Sequence, residues 1–105
     1  MRFVETPLFT EDVVDLMRDD DYRTLQLALL FRPEGGTLIR GSGGLRKVRW
    51  TAPGRGKRGG VRIIYYWAKA EEVIYMLLIY PKSRQEDLTP RQLKILRKLV
   101  QEEFK

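Results

Sequence analysis

Nine of the twenty lysines and arginines fall between residues 35 and 70, a stretch without a single acid, while the rest of the chain carries eleven bases against fourteen acids. The net charge of +6 is therefore one local basic surface on a mildly acidic body, a distribution that attracts polyanions. Its centre is residues 41–67, GSGGLRKVRWTAPGRGKRGGVRIIYYW, which reads as two strands, 45–51 and 61–67, joined by a Gly-rich loop bearing Arg55, Lys57 and Arg58. Alternation along the first strand puts Leu45, Lys47 and Arg49 on one face and Arg46, Val48 and Trp50 on the other, so both faces carry cations. Arg62 is the odd residue of the second strand. It sits beside Ile64 and Tyr66 in a segment otherwise built for burial, where an unpaired cation is costly; snorkelling at a strand end is the plainer alternative. Lys82 and Arg84 add charge directly after a third strand.

The residue types that are missing narrow the chemistry. With no cysteine there are no disulfides and no thiolate zinc sites, and with no histidine there are no Ser-His triads or imidazole metal sites. Any catalysis runs on Lys, Arg, Tyr or carboxylates, and no metal or other cofactor is implied. Gly54-Arg55-Gly56-Lys57-Arg58-Gly59 matches G-x-G-x-x-G in form, but a strand follows where a helix N-terminus would have to hold the pyrophosphate. Arg58 stands where a Walker loop requires Ser or Thr. The loop reads instead as a cationic hairpin tip that can lie along a phosphate backbone.

At 105 residues the chain is expected to form a single domain over 1–105. No apolar run approaches the ~20 residues of a membrane span, and the N-terminus lacks a signal-like apolar core, so a cytoplasmic protein without membrane contacts is expected. Residues 2–5 suggest a short edge strand. Thr10 followed by Glu11 and Asp12 suggests a helix N-cap, and the run Asp19, Asp20, Asp21 a break that caps a second helix with Tyr22, Leu25, Ala28 and Leu29 inward, ended by Pro33. A brief extended piece over 37–40 precedes the basic strands. Residues 61–67 and 73–80 read as a central antiparallel hairpin, and Thr89-Pro90-Arg91-Gln92 as a capping box opening a last helix to about residue 103. The order strand, two helices, three antiparallel strands, helix predicts an α+β domain: a twisted, mainly antiparallel sheet packed on helices at one face. The other face is expected to be open and concave, with Lys47, Arg49, Arg62 and Lys82 converging on it. Val48, Ile63, Leu77, Leu93 and Leu96 are expected in one core.

At these residues the chain resembles the RelE superfamily of bacterial type II toxins. The motifs are LRKVR, the basic Gly-rich loop, VRIIYYW and a strand ending IYPKS. The likeness is greatest to the HigB branch, in which a G-[ST]-G-G-L-R-K-[VI]-R stretch precedes K-R-G-G-x-R-I-I-Y-Y. It covers nearly the whole chain, element order included. The sequence departs from some relatives at Ser83, where they carry an arginine, and at Leu88 and Thr89, where they carry a base-stacking tyrosine nearby.

The resemblance implies a small ribosome-dependent endonuclease that cuts mRNA in the decoding site. It also implies a cognate antitoxin of the HigA type, and a complex able to bind its own operator through that antitoxin. Position by position it matches Lys47 and Arg49 to the family's paired cations, Arg62 to the arginine that opens the next strand and Lys82 to the basic position after the last one. Catalysis is accordingly expected from Lys47, Arg62 and Lys82, and contacts with RNA and ribosome from Arg46, Arg49, Arg84 and the loop cations Arg55, Lys57 and Arg58. Cleavage of RNA by its own 2′-hydroxyl needs a base for that proton, positive charge on the phosphorane-like transition state and an acid for the 5′-oxygen. Arg62 suits charge stabilisation and bidentate phosphate contact, and either Lys47 or Lys82 suits proton transfer. Two other classes remain open on the residues alone. One is a non-catalytic RNA- or ribosome-binding module, with a gyrase-targeting ParE-type toxin as the superfamily's own variant; the other is a structural domain for an acidic protein partner.

Overall fold

A computed structural model of the protein describes residues 1–51 and 60–104. The elements run β1 Arg2–Glu5, α1 Pro7–Leu16, α2 Asp19–Phe31, β2 Thr37–Leu38, β3 Leu45–Trp50, β4 Val61–Ala68, β5 Val73–Pro81 and α3 Pro90–Leu99, with a wider π-type turn over Val100–Phe104. They build an α+β domain around one five-stranded sheet in the order β1-β5-β4-β3-β2. Among the described residues only the pairing of β1 with β5 is parallel; the others are antiparallel. None of the described helices is long and apolar enough to cross a membrane.

The first helix begins earlier than Thr10. Thr6 is its N-cap, accepting from the Phe9 N–H at 3.1 Å, and Pro7 occupies the first helical position. The same hydroxyl donates to the Leu77 carbonyl at 2.9 Å, so the cap also ties α1 to β5. Thr10 instead donates to the Glu5 carboxylate at 2.6 Å. The three aspartates do not cap α2 either. Arg18 is at the N-cap position and the acids fill the first turn, where they meet the positive end of the helix dipole. The chain leaves the helix at Arg32, because Pro33 disfavours helical geometry in the residue before it. Thr89 and Gln92 form the expected capping box with Pro90 following.

Helices cover the sheet on both faces, not one. On the first face, Phe9, Val13 and Met17 of α1 and its C-cap, with Leu25 and Leu29 of α2, pack on Val61, Ile63, Tyr65, Ile74, Met76 and Ile79, and Val48, Trp50 and Trp67 join them. On the second, Leu93, Leu96, Leu99 and Val100 pack on Leu45, Ile64, Leu77, Leu78 and Tyr80. The five residues expected in a single core are thus divided, Val48 and Ile63 to one side and Leu77, Leu93 and Leu96 to the other. A bulge explains part of this division. Pairing steps from Ile64↔Leu78 to Tyr65↔Met76, leaving Leu77 as the extra residue, so Leu77 and Leu78 both point to the second face. The Leu77 carbonyl, displaced from the ladder, is the one that Thr6 takes up.

Two polar side chains on the first face, Tyr65 and Arg46, are held by main chain. The fully buried Tyr65 hydroxyl accepts from the Gly36 N–H at 2.9 Å and donates to the Pro33 carbonyl at 2.7 Å. Only glycine fits at 36, since a Cβ there would lie 2.9 Å from that hydroxyl and 3.0 Å from the Lys47 carbonyl. Arg46 donates to the carbonyls of Glu34 and Gly36 at 2.9 and 2.8 Å, fastening the same turn from β3. These bonds fix β2 beside β3 and so set the edge of the site.

Candidate active site

The second face divides in two along the strands. Under α3 it is apolar, and beyond α3 it turns cationic, because β3 and β4 place Lys47, Arg49 and Arg62 on the side that also carries Leu45 and Ile64. Arg49 and Arg62 are direct cross-strand partners, and Lys47 faces Ile64. Two like charges side by side on a sheet repel, so something must offset them. The offset comes from residues 86 and 87, in the segment between β5 and α3.

Glu86 is the hub. Its carboxylate accepts from Arg62 through both Nε, at 2.7 Å, and the second guanidinium nitrogen, at 3.0 Å. Its Oε2 also lies 3.5 Å from the Lys47 ammonium and 3.7 Å from Arg49. Lys47 reaches the Asp87 carboxylate at 2.5 Å. The backbone of Glu86 is anchored separately, its carbonyl accepting from the Tyr80 hydroxyl at 3.2 Å and from Lys47 at 3.4 Å. Arg62 is 3% exposed, so snorkelling at the strand end is not its solution; it is a buried cation stabilised by a forked ion pair.

The electrostatics follow from these contacts. The bond from Arg62, opposed by some desolvation and reinforced by the charges of Arg62, Arg49 and Lys47, holds the Glu86 carboxyl down to about 2. The bond with Glu86 raises the Arg62 guanidinium further above its ordinary value, so it stays charged throughout. Burial first, and then the charges of Asp87 and Glu86, push the Tyr80 phenol up to about 12, which keeps it a neutral donor. An open cleft of about 340 Å³, lined by Gly35, Thr37, Lys47, Val48 and Arg49, runs along the neighbouring edge of the sheet. The arrangement can grip a dianionic or phosphodiester oxyanion: a buried fork for two oxygens, with an ammonium and a second guanidinium beside it.

The expected site residues are only partly gathered. Lys47, Arg49 and Arg62 converge as the alternation of the strands implied. Lys82 lies exposed in the turn after β5, its N–H donating to the Gly60 carbonyl at 3.1 Å, and is not among the cations around Glu86; Arg84 is exposed in the same turn. Arg46 points to the other face and is spent on the 34–36 turn. Arg55, Lys57 and Arg58 lie outside the described residues. Sequence reasoning missed Glu86, Asp87 and Tyr80. The signal was the pair of acids directly after the most basic part of the chain, together with an arginine on a central strand that required a partner.

Tyr80, Glu86, Asp87 and all three converging cations fall within one further match. Residues 35–105 fit the family model of the RelE toxin of the RelE/RelB toxin-antitoxin system. The fold and that match over more than half of the chain place it in the RelE toxin family: it is the toxin of a toxin-antitoxin pair, with an antitoxin as its partner.

Proposed function

We propose that this toxin is a metal-independent endoribonuclease of the HigB type that cleaves translated mRNA on the ribosome, and that a HigA-type antitoxin neutralises it. The observation that carries the reading is Arg62, a buried arginine whose fork is presented to an oxyanion at the solvent boundary, with Lys47 and Arg49 beside it. In this reading Arg62 holds two non-bridging oxygens of the scissile phosphate and stabilises the charge that grows on them as the 2′-oxygen attacks. Arg49 neutralises the flanking phosphodiester. Lys47 touches the same carboxylate as Arg62, so it is within reach of the same phosphate and is a candidate for proton transfer. Lys82, at the mouth of the strands, is the second candidate. Arg55, Lys57, Arg58 and Arg84 supply further charge for the ribosome and the RNA backbone. Tyr80 takes no proton step here; it anchors the segment that borders the site.

The test is the appearance of new 5′ ends within translated messages after the toxin is induced in a host lacking the antitoxin. Cleavage confined to translated regions, and lost when translation is blocked beforehand, is the expected result. Intact messages alongside arrested replication would instead assign the toxin to the gyrase-targeting members of the superfamily.

A further inference from the structure

Arg62 has an occupant already. Two of its guanidinium nitrogens, Nε and one terminal nitrogen, donate to one carboxylate of the same chain, while the other terminal nitrogen donates to the Val61 carbonyl at 3.3 Å; that carboxylate also lies within 3.7 Å of Arg49 and 3.5 Å of Lys47. The exposures show which way the pair opens. The Arg62 side chain is 4% exposed and that of Glu86 41%, so the carboxylate lies between the guanidinium and solvent. An incoming oxyanion that is to use the fork must take the place of Glu86.

We propose that Glu86 is an internal stand-in for the substrate phosphate, so that the free toxin is self-occupied and RNA binds by displacing this carboxylate from Arg62. The proposal rests on reading this face as a phosphodiester site. Three features fit an exchange better than a fixed brace. Glu86 is held to the protein by its carbonyl, through Tyr80 and Lys47, so the side chain can swing away while the segment stays in place. Its partners among the described residues are the three cations that converge on the second face, Lys47, Arg49 and Arg62, and each satisfies a phosphate as well as a carboxylate. Finally, Asp87 offers Lys47 a second acid, which leaves Glu86 free to go without stranding the ammonium.

Exchange has a measurable cost. When the competent state is a fraction of the population, apparent affinity falls by that fraction, so a site self-occupied ~90–99% of the time binds ~10–100-fold more weakly than its open form. The experiment compares wild type, Glu86→Gln and Glu11→Gln, the last removing one negative charge from the exposed surface of α1. Each is titrated calorimetrically, at one fixed salt concentration, with a short 2′-O-methyl oligouridylate, which binds but lacks the hydroxyl needed for cleavage. Glu86→Gln is expected to bind ~10-fold or more tightly than wild type, and Glu11→Gln no more than about 2-fold, the share of net charge alone. Equal or weaker binding by folded Glu86→Gln overturns the proposal and makes the carboxylate a brace for Arg62. An equal gain in Glu11→Gln overturns it as well. If Glu86→Gln does not fold, Glu86→Asp, too short for the forked contact, is read by the same criterion. Because the readout is binding, the outcome does not depend on cleavage. Tighter binding without any endonuclease activity would uphold self-occupancy and sink the functional reading, and the opposite pair of results would do the reverse.

Discussion

Tyr65 and Arg62 lie three residues apart on the same central strand, one on each face of the sheet, and both bury a polar group completely or nearly so. Tyr65 is satisfied by main chain, the Gly36 N–H and the Pro33 carbonyl, partners that cannot leave without unfolding the turn. Arg62 keeps one backbone contact, Nη1 to the Val61 carbonyl at 3.3 Å, but Nε and its second terminal nitrogen are held by the tip of a half-exposed side chain. The first arrangement spends polar bonds on architecture, and the second keeps them exchangeable. A buried group whose partner can depart is a binding site in waiting, whereas one whose partners are backbone is part of the frame. Arg46 and Arg49, also three residues apart, repeat the contrast on β3, the former clamped to two carbonyls and the latter 67% exposed beside the carboxylate.

The largest effect on the frame is expected from Leu77, the bulged residue in the apolar core of the second face. Leu77→Ala leaves a cavity under α3 and should cost about 2–5 kcal/mol in denaturant unfolding. A loss well below 1 kcal/mol would mean that the bulge relaxes freely and that the second face is not a packed core. Next comes Tyr65→Phe, which strands a buried N–H and a carbonyl and should cost about 1–3 kcal/mol. Its oligonucleotide affinity should stay that of wild type. Should that affinity fall while the fold is retained, the two faces are coupled and the distinction between frame and site fails.

Acid sharpens the comparison further. Glu86 has a folded value of about 2 against an ordinary value of about 4.5. Its contribution to stability is therefore complete above about 4.5 and is lost as the pH falls from there toward 2. Replacing it by Gln should flatten that limb of the stability curve relative to wild type, whereas Tyr65→Phe should shift the curve down without changing its slope there. Parallel acid limbs for wild type and Glu86→Gln would show that the forked pair adds nothing to the folded state.

Much of this was readable in the residues. The alternation of 45–51 grouped Lys47 and Arg49 with Leu45, although the face they share is partly covered by α3 and not open. The β-branched and aromatic runs marked the central hairpin, and Thr89-Pro90-Arg91-Gln92 located α3. Thr6-Pro7 carries the same cap signature as Thr89-Pro90, yet Thr10 with its following acids competed for the helix start, and local propensity alone does not decide between two caps four residues apart. The division of the core was hidden for a different reason. A bulge shifts the phase of one strand against its neighbour, and nothing in a run such as IYMLLIY marks which residue is extra. Glu86 was invisible as a partner because it lies 24 residues from Arg62 and meets it only once β5 has returned antiparallel to β4. The charge pattern showed that Arg62 needed an anion without saying which one.

If the exchangeable face is the working one, Arg62→Ala must disable the toxin without unfolding it. Single-turnover cleavage of ribosome-bound mRNA should be measured at saturating ribosome, with the fold of the variant verified by circular dichroism and thermal melting. Loss of a preorganised charge at the transition state predicts a fall of ~10²–10³-fold in the cleavage rate of a folded variant. Cleavage at the wild-type rate by folded Arg62→Ala would contradict the account, and would make the Arg62–Glu86 pair a structural tie no different in kind from Tyr65.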